Sequence, residues 1–196
     1  MQLFHPYKVR SLPSADSRRD TINELLRSLE GSSPAHIVLK AKEGSGRRTV
    51  ANAVLALGKR LGRRHILRLD TGALSTALYE AFDTTELFES IRQSAKSYQR
   101  GLVLIESPDL LIDGVERAEV RRLVRFFTEL LEPYDIRCLL ISSEDQSIQL
   151  QNLSLGLKKL LLMIEVPQLN QDQTSDILSH RVPIELSRQL TDLTVR

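Results

Sequence analysis

Gly44, Ser45, Gly46, Arg47, Arg48 and Thr49 follow the apolar run His36-Ile37-Val38-Leu39, an order in which a strand enters a loop and the loop opens a helix. A loop of this kind that holds a nucleotide reads G-x-x-x-x-G-K-[ST]. Main-chain N–H groups and the helix N-terminus take the phosphates, the lysine reaches their outer oxygens, and the hydroxyl binds magnesium. In this chain Ala41 stands for the first glycine, Arg47 for the lysine and Arg48 for the hydroxyl. Gly44, Ser45 and Gly46 still permit close backbone approach to an anion, but a guanidinium has no lone pair to offer a metal. Two arginines at a helix N-terminus, where the dipole disfavours cations, predict an anion or a carboxylate close by.

A second piece is the apolar strand Leu102-Val103-Leu104-Ile105 ending in Glu106-Ser107. A carboxylate there can touch a metal's hydration shell, whereas serine at neutral pH is no general base. A third is Ile136 to Ser142, a strand that delivers Ser142 and Ser143 at its C-terminal end. In an open α/β sheet ligands bind at that edge, so these hydroxyls read either as phosphate contacts or as a plain serine turn. The residues therefore propose a candidate nucleotide site of Gly44, Ser45, Gly46, Arg47, Arg48, Thr49, Glu106, Ser142 and Ser143, with no catalytic residue and no metal site.

The elements that would position these groups alternate along the chain. Residues 1–16, with Pro6 and Pro13, read as an extended arm. Ile22, Leu25, Leu26 and Leu29 fall at helical spacing and predict an amphipathic helix before the strand 35–40. Further strands are expected at 65–69, 102–105, 136–142 and 160–166, with helices over 73–82, 85–99 and 115–131. Short strands alternating with helices predict a five-stranded, mostly parallel sheet covered on both faces, spanning 17–167, followed by a short helical tail over 168–196.

Composition narrows the function. The 196 residues carry a net charge of only +2, so no global basic field argues for nucleic acid. The single cysteine, Cys138, allows neither an internal disulfide nor a cysteine-ligated zinc, and points to a reducing compartment. The opening Met1 to Pro6 lacks the charged and apolar regions of a signal peptide, and the apolar runs are strand-length, so a cytoplasmic protein without membrane association is expected. The four histidines show no metal spacing, and His36 and His65 sit at strand starts, where structural roles are expected. Arg117, Arg121 and Arg125 form a basic stripe that reads as a solvated face balanced by Glu116 and Glu119, or as a contact surface.

The order of phosphate loop, acidic strand, hydroxyl strand and helical tail resembles the AAA+ ATPase family from about Ser17 to Val166. Ala41 to Arg47 and Leu140 to Asp145 look like DnaA-related replication regulators, whereas Leu69 to Leu74, Phe88 to Arg92 and Asp135 to Cys138 look like the first ATPase module of Clp unfoldases. The resemblance implies a three-layer α/β/α phosphate-loop fold, the AAA+ large subdomain, with the tail as a remnant of the helical lid. It brings ATP or ADP as the candidate ligand, though the residues fix no cofactor. The family's aspartate and glutamate at the acidic strand are Glu106 and Ser107 here, and its arginine pair before the last strand is Lys158-Lys159. A lysine keeps the charge but loses the planar fork that clamps a phosphoryl group.

These departures point to a pseudo-ATPase that acts by protein contact, its partner another AAA+ protein or a second copy of itself. Lys158, Lys159, Arg117, Arg121 and Arg125 are the candidate interface. The alternative is a nucleotide-binding, DnaA-like regulator or slow ATPase switch acting on DNA.

Overall fold

The computed structural model describes residues 3–8, 18–30, 36–42, 45–80, 85–106, 124–143, 160–172 and 174. Ten elements of regular strand or α-helix appear among them: β1 (Phe4–Pro6), α1 (Arg19–Glu30), β2 (His36–Lys40), α2 (Arg47–Leu57), β3 (His65–Leu69), α3 (Thr71–Glu80), α4 (Thr85–Ser97), β4 (Gly101–Ile105), β5 (Arg137–Ser142) and β6 (Leu161–Glu165). The strands form one sheet in the order β1-β3-β4-β5-β2-β6, parallel throughout except for β1, which runs antiparallel to β3.

The near-continuous apolar strands are explained by burial on both faces. Alternate residues serve different cores. Ile37, Leu39, Leu102, Leu104, Leu139 and Ile141 pack with Ile22, Leu25 and Leu29 of α1 and Val50 and Val54 of α2. Val38, Val103, Ile105, Cys138 and Leu140 pack on the other side with Leu74 of α3, Phe88 and Ile91 of α4, and Phe126 and Phe127. The result is a three-layer α/β/α arrangement.

Two features depart from the expected elements. The sheet has six strands, because three residues of the arm join it: Phe4 pairs with Leu69, and Pro6 with Leu67. Phe4 is only 1% exposed, and burying such a ring contributes roughly 1.5–3 kcal/mol. Proline is tolerated because the strand is short and lies at the sheet edge. The second departure is that Phe126–Leu131, expected as part of an α-helix, is a π-helix, followed by a 3-10 turn at Glu132–Tyr134. Phe126, Phe127, Leu130 and Leu131 are all buried. The wider π turn, at about 4.4 residues, stacks i on i+4 and i+1 on i+5, so four bulky side chains share a narrower face than an α-helix gives them.

Candidate functional site

The C-terminal edges of β2, β4 and β5 bring the predicted pieces together. Gly46 caps α2 with φ 80°, a left-handed conformation natural to glycine, and the helix begins at Arg47. The described end of the loop, Ser45 and Gly46, thus leads directly into a helix N-terminus, where an anion is favoured. Its side chains do something else.

Arg47 turns back across the loop, where one guanidinium nitrogen donates to the carbonyls of Ala41 and Ser142, both at 3.0 Å. It therefore ties the end of β2 to the end of β5 and turns Nη1 to main-chain oxygens at the place where a phosphate-reaching lysine is required. Ser142 is fully buried, and by strand alternation its side chain shares the face of Cys138 and Leu140, opposite α2. Its hydroxyl donates to the Ser143 carbonyl at 3.1 Å. Thr49 lies one residue past the metal-hydroxyl position, a step of about 100° round the helix. Ser45 is buried, and its hydroxyl has no hydrogen-bond partner among the described residues.

Glu106 follows Leu102 and Leu104 on the α2 side of the sheet, so its carboxylate faces the start of that helix. Arg48 Nε lies 3.8 Å from Oε1, and Arg68 Nε lies 3.2 Å from Oε2. Of the two loop arginines for which an anion or a carboxylate was expected, Arg48 has Glu106 close by, whereas Arg47 bonds main-chain carbonyls. With Arg48 74% and Arg68 56% exposed, these pairs are worth at most about 1 kcal/mol together. What matters is the charge: two permanent cations stand on the oxygens that a magnesium shell would use. A divalent ion meets repulsion there and no hydroxyl from the helix. The residues present do not fit a magnesium ion. Among the described residues no group of three or more histidine, cysteine or carboxylate side chains is placed to hold a metal.

Arg18 and Arg68 were not among the predicted site residues. Arg68 had a signal: it is the single charge within the strand His65–Leu69, one residue from its C-terminal edge. Arg18 had none. It is 5% exposed and donates to the carbonyl of Ser45 in the loop at 2.5 Å and to that of Pro167 beyond β6. Burial holds its guanidinium below the usual arginine range.

Of the predicted interface, only Arg125 lies among the described residues. Its Nε donates to both carboxylate oxygens of Glu129, at 3.0 and 3.1 Å, and its guanidinium lies 4.9 Å from the ring centre of Phe88. It pins the π-helix to α4. Gly44, Ser107, Arg117, Arg121, Lys158 and Lys159 fall outside the described residues, as does most of the helical tail.

No protein-family model and no curated protein matches the chain. Solved structures do. The chain is similar to Hsp104 in a closed-state cryoEM reconstruction with ATPγS and FITC casein, with a TM-score of 0.66 and 15% identity over 86% of this chain and 30% of that one. It is also similar to S. cerevisiae Hsp104 in an extended casein complex, with a TM-score of 0.62 and 16% identity over 82% of this chain and 28% of that one. A third match is the S. cerevisiae Hsp104-ADP complex, with a TM-score of 0.65 and 16% identity over 82% and 23%. Hsp104 is a Clp-type AAA+ ATPase, and at this identity the likeness shows the AAA+ fold. The chain spans less than a third of each Hsp104 chain. No helix among the described residues is long and apolar enough to cross a membrane.

Proposed function

We propose that this chain is a degenerate AAA+ module, a pseudo-ATPase that works by protein contact within a larger assembly and hydrolyses no ATP. The observation that supports this reading is the placement of Arg48 and Arg68 beside the Glu106 carboxylate, which sets two permanent positive charges where a catalytic site needs a metal. Ser107, beside Glu106, supplies no base to orient water. Arg47 adds to the same end by bonding strand-edge carbonyls.

The test is phosphate release and nucleotide affinity with and without magnesium. Turnover is expected to match that of a Ser107→Ala variant. Any nucleotide affinity should change less than about threefold on adding magnesium, with ADP competing as well as ATP, because a metal bridging β- and γ-oxygens is what normally separates them. A magnesium-dependent rate abolished by Glu106→Ala would sink the proposal and favour the nucleotide-switch alternative.

The partner in this reading is another AAA+ protein or a second copy of the chain, met through the Lys158-Lys159 edge and the stripe of Arg117, Arg121 and Arg125. Within the stripe, Arg125 already serves Glu129, so Arg117 and Arg121 are the members expected to contact a partner. Charges at a rim tune association rate and salt sensitivity more than fold stability. Reversing both lysines to glutamate is therefore expected to weaken self-association or complex formation in sedimentation experiments at low salt while moving stability by less than ~0.5 kcal/mol. Equal association by both proteins would place the interface elsewhere.

A further inference from the structure

The net charge of +2 hides an uneven distribution. Lys59 and Arg60 follow α2, Arg64 precedes β3 and Arg100 precedes β4, so all four stand at the N-terminal end of the parallel strands. Glu106 lies at the other end of β4, a strand length or roughly 15 Å away. All four cations are exposed, and among the described residues none has a carboxylate within ion-pair distance. Arg48, Arg68, Arg92 and Arg125, by contrast, each stand on a carboxylate. Main-chain bonds draw the segments together: Arg64 N–H donates to the Arg100 carbonyl at 3.0 Å, and Arg100 N–H to that of Tyr134 at 2.9 Å. Beneath them the buried Arg63 and Arg137 share the Asp135 carboxylate, which leaves one positive charge uncompensated. Glu30, beside the Leu29 carbonyl that Arg63 bonds, and Glu132 are the other carboxylates on these segments, and cations outnumber them.

An ordinary helix terminus does not account for this cluster. The α2 dipole favours cations within its last turn only, and Arg64 and Arg100 lie beyond it. Arg100 also takes φ 58°, a left-handed conformation that glycine or asparagine adopts more readily, and its guanidinium rests on Gly62, where an added Cβ would lie 2.8 Å from Nη2. A strained backbone thus holds a cation among others of its own sign, an arrangement that repulsion opposes and a polyanion would relieve. We propose that this end of the sheet binds the phosphate backbone of a nucleic acid without reading its sequence. The competing occupant, an acidic protein segment, fits the surface less well. Protein interfaces centre on apolar and aromatic side chains, whereas the exposed residues within 58–64 and 98–101 are Lys59, Arg60, Gly62, Arg64, Gln99 and Arg100. A phosphate backbone asks only for cations, and guanidinium forks match its oxygens. The surface is remote from Glu106, so the inference stands apart from the pseudo-ATPase reading.

Fluorescence anisotropy of labelled, mixed-sequence DNA and RNA strands of about 20 nucleotides, titrated with the intact chain, tests the proposal. At about 50 mM salt a Kd on the order of 10 μM is expected, weakening as salt is raised because phosphate contacts release counterions. Arg60→Glu with Arg64→Glu should lose at least about tenfold more affinity than Lys42→Glu with Arg48→Glu, which makes the same change of net charge at the opposite end of the sheet. A smaller difference, or a Kd above about 100 μM for wild type, overturns the proposal. Should the reversal unfold the domain, Arg60→Gln with Arg64→Gln decides by its salt dependence: the slope of log K against log salt should become shallower by about 1. An unchanged slope overturns the assignment. DNA and RNA strands should bind within about fivefold of each other, and a larger preference would mean contacts to bases or 2′-hydroxyls in place of the backbone. Poly-glutamate of matched charge should compete at least about tenfold less well than unlabelled strand; equal competition assigns the surface to an acidic protein segment. Failure of the pseudo-ATPase reading would appear separately, as magnesium-dependent phosphate release in wild type.

Discussion

Taking the protein from about pH 8 to about pH 4.5 is expected to remove about 3 kcal/mol of folding stability through His36 alone. His36 begins β2 and is fully buried. Its Nδ1 accepts the Cys138 N–H at 3.1 Å, so the neutral ring carries its proton on Nε2, which has no partner among the described residues. The Phe127 ring lies 4.7 Å away, centre to centre, and Arg137 adds a neighbouring positive charge. Burial first and Arg137 second push the imidazole down from 6.5 to about 3. The unfolded chain therefore takes up a proton below about pH 6.5 that the folded chain refuses until about pH 3. Stability is full above the upper value and falls as the pH drops towards the lower one. His36→Asn keeps an acceptor for Cys138 and cannot ionise. It should be less stable than wild type at pH 8, because a smaller side chain leaves space in the core, yet show a flatter profile between pH 7 and 4.5. Denaturant unfolding across that range checks it, and parallel profiles for the two proteins would show that His36 is not the titrating group.

How far these features were legible in the sequence depends on how local their causes are. The runs Ile37-Val38-Leu39, Leu102 to Ile105 and Cys138 to Ile141 announce strands buried on both faces, because nothing but a parallel interior tolerates so many adjacent apolar residues. The loop and its altered positions are local too, and the expectation of an anion or a carboxylate near Arg47 and Arg48, met by a carboxylate at Arg48 only, follows from helix electrostatics. That the carboxylate is Glu106, and that Arg68 shares it, depends on β3 lying beside β4, a pairing no local pattern encodes. Phe4 to Pro6 was hidden because three residues ending in proline show no alternation. The π-helix was hidden because Phe126-Phe127-Thr128-Glu129-Leu130-Leu131 fits an α-helix equally well until packing chooses. Arg18 reaches 149 residues along the chain to Pro167, a contact that only the closed fold creates.

Removing the charge of Asp135 is expected to cost about 1–3 kcal/mol, and removing the Arg137 charge should cost less once that carboxylate is gone. Arg63 and Arg137 converge on this carboxylate, with Oδ1 at 3.0 Å from Arg63 Nη1 and 3.6 Å from Arg137 Nε. The two guanidinium side chains are 6% and 11% exposed, whereas Asp135 is 51% exposed, which places the estimate below the range for a fully buried pair. Arg63 also donates to the carbonyls of Asp135 and Leu29, fixing the turn before β5 and the last turn of α1. Burial and then Arg63 lower the Arg137 guanidinium, and Asp135 opposes both. Asp135→Asn tests this charge alone, since asparagine tolerates the left-handed φ of 51° at this position and keeps an acceptor oxygen. It leaves two buried cations facing each other. Arg137→Met should then cost less in the Asp135→Asn background than in wild type, and urea unfolding of the four proteins gives the coupling directly. Equal cost in both backgrounds would mean that Arg63 is held by its carbonyl partners and Arg137 by packing, with no electrostatic dependence on Asp135. Because this cluster sits where β5 begins, at the end of the sheet opposite the β2–α2 loop, none of the four proteins should differ in nucleotide affinity.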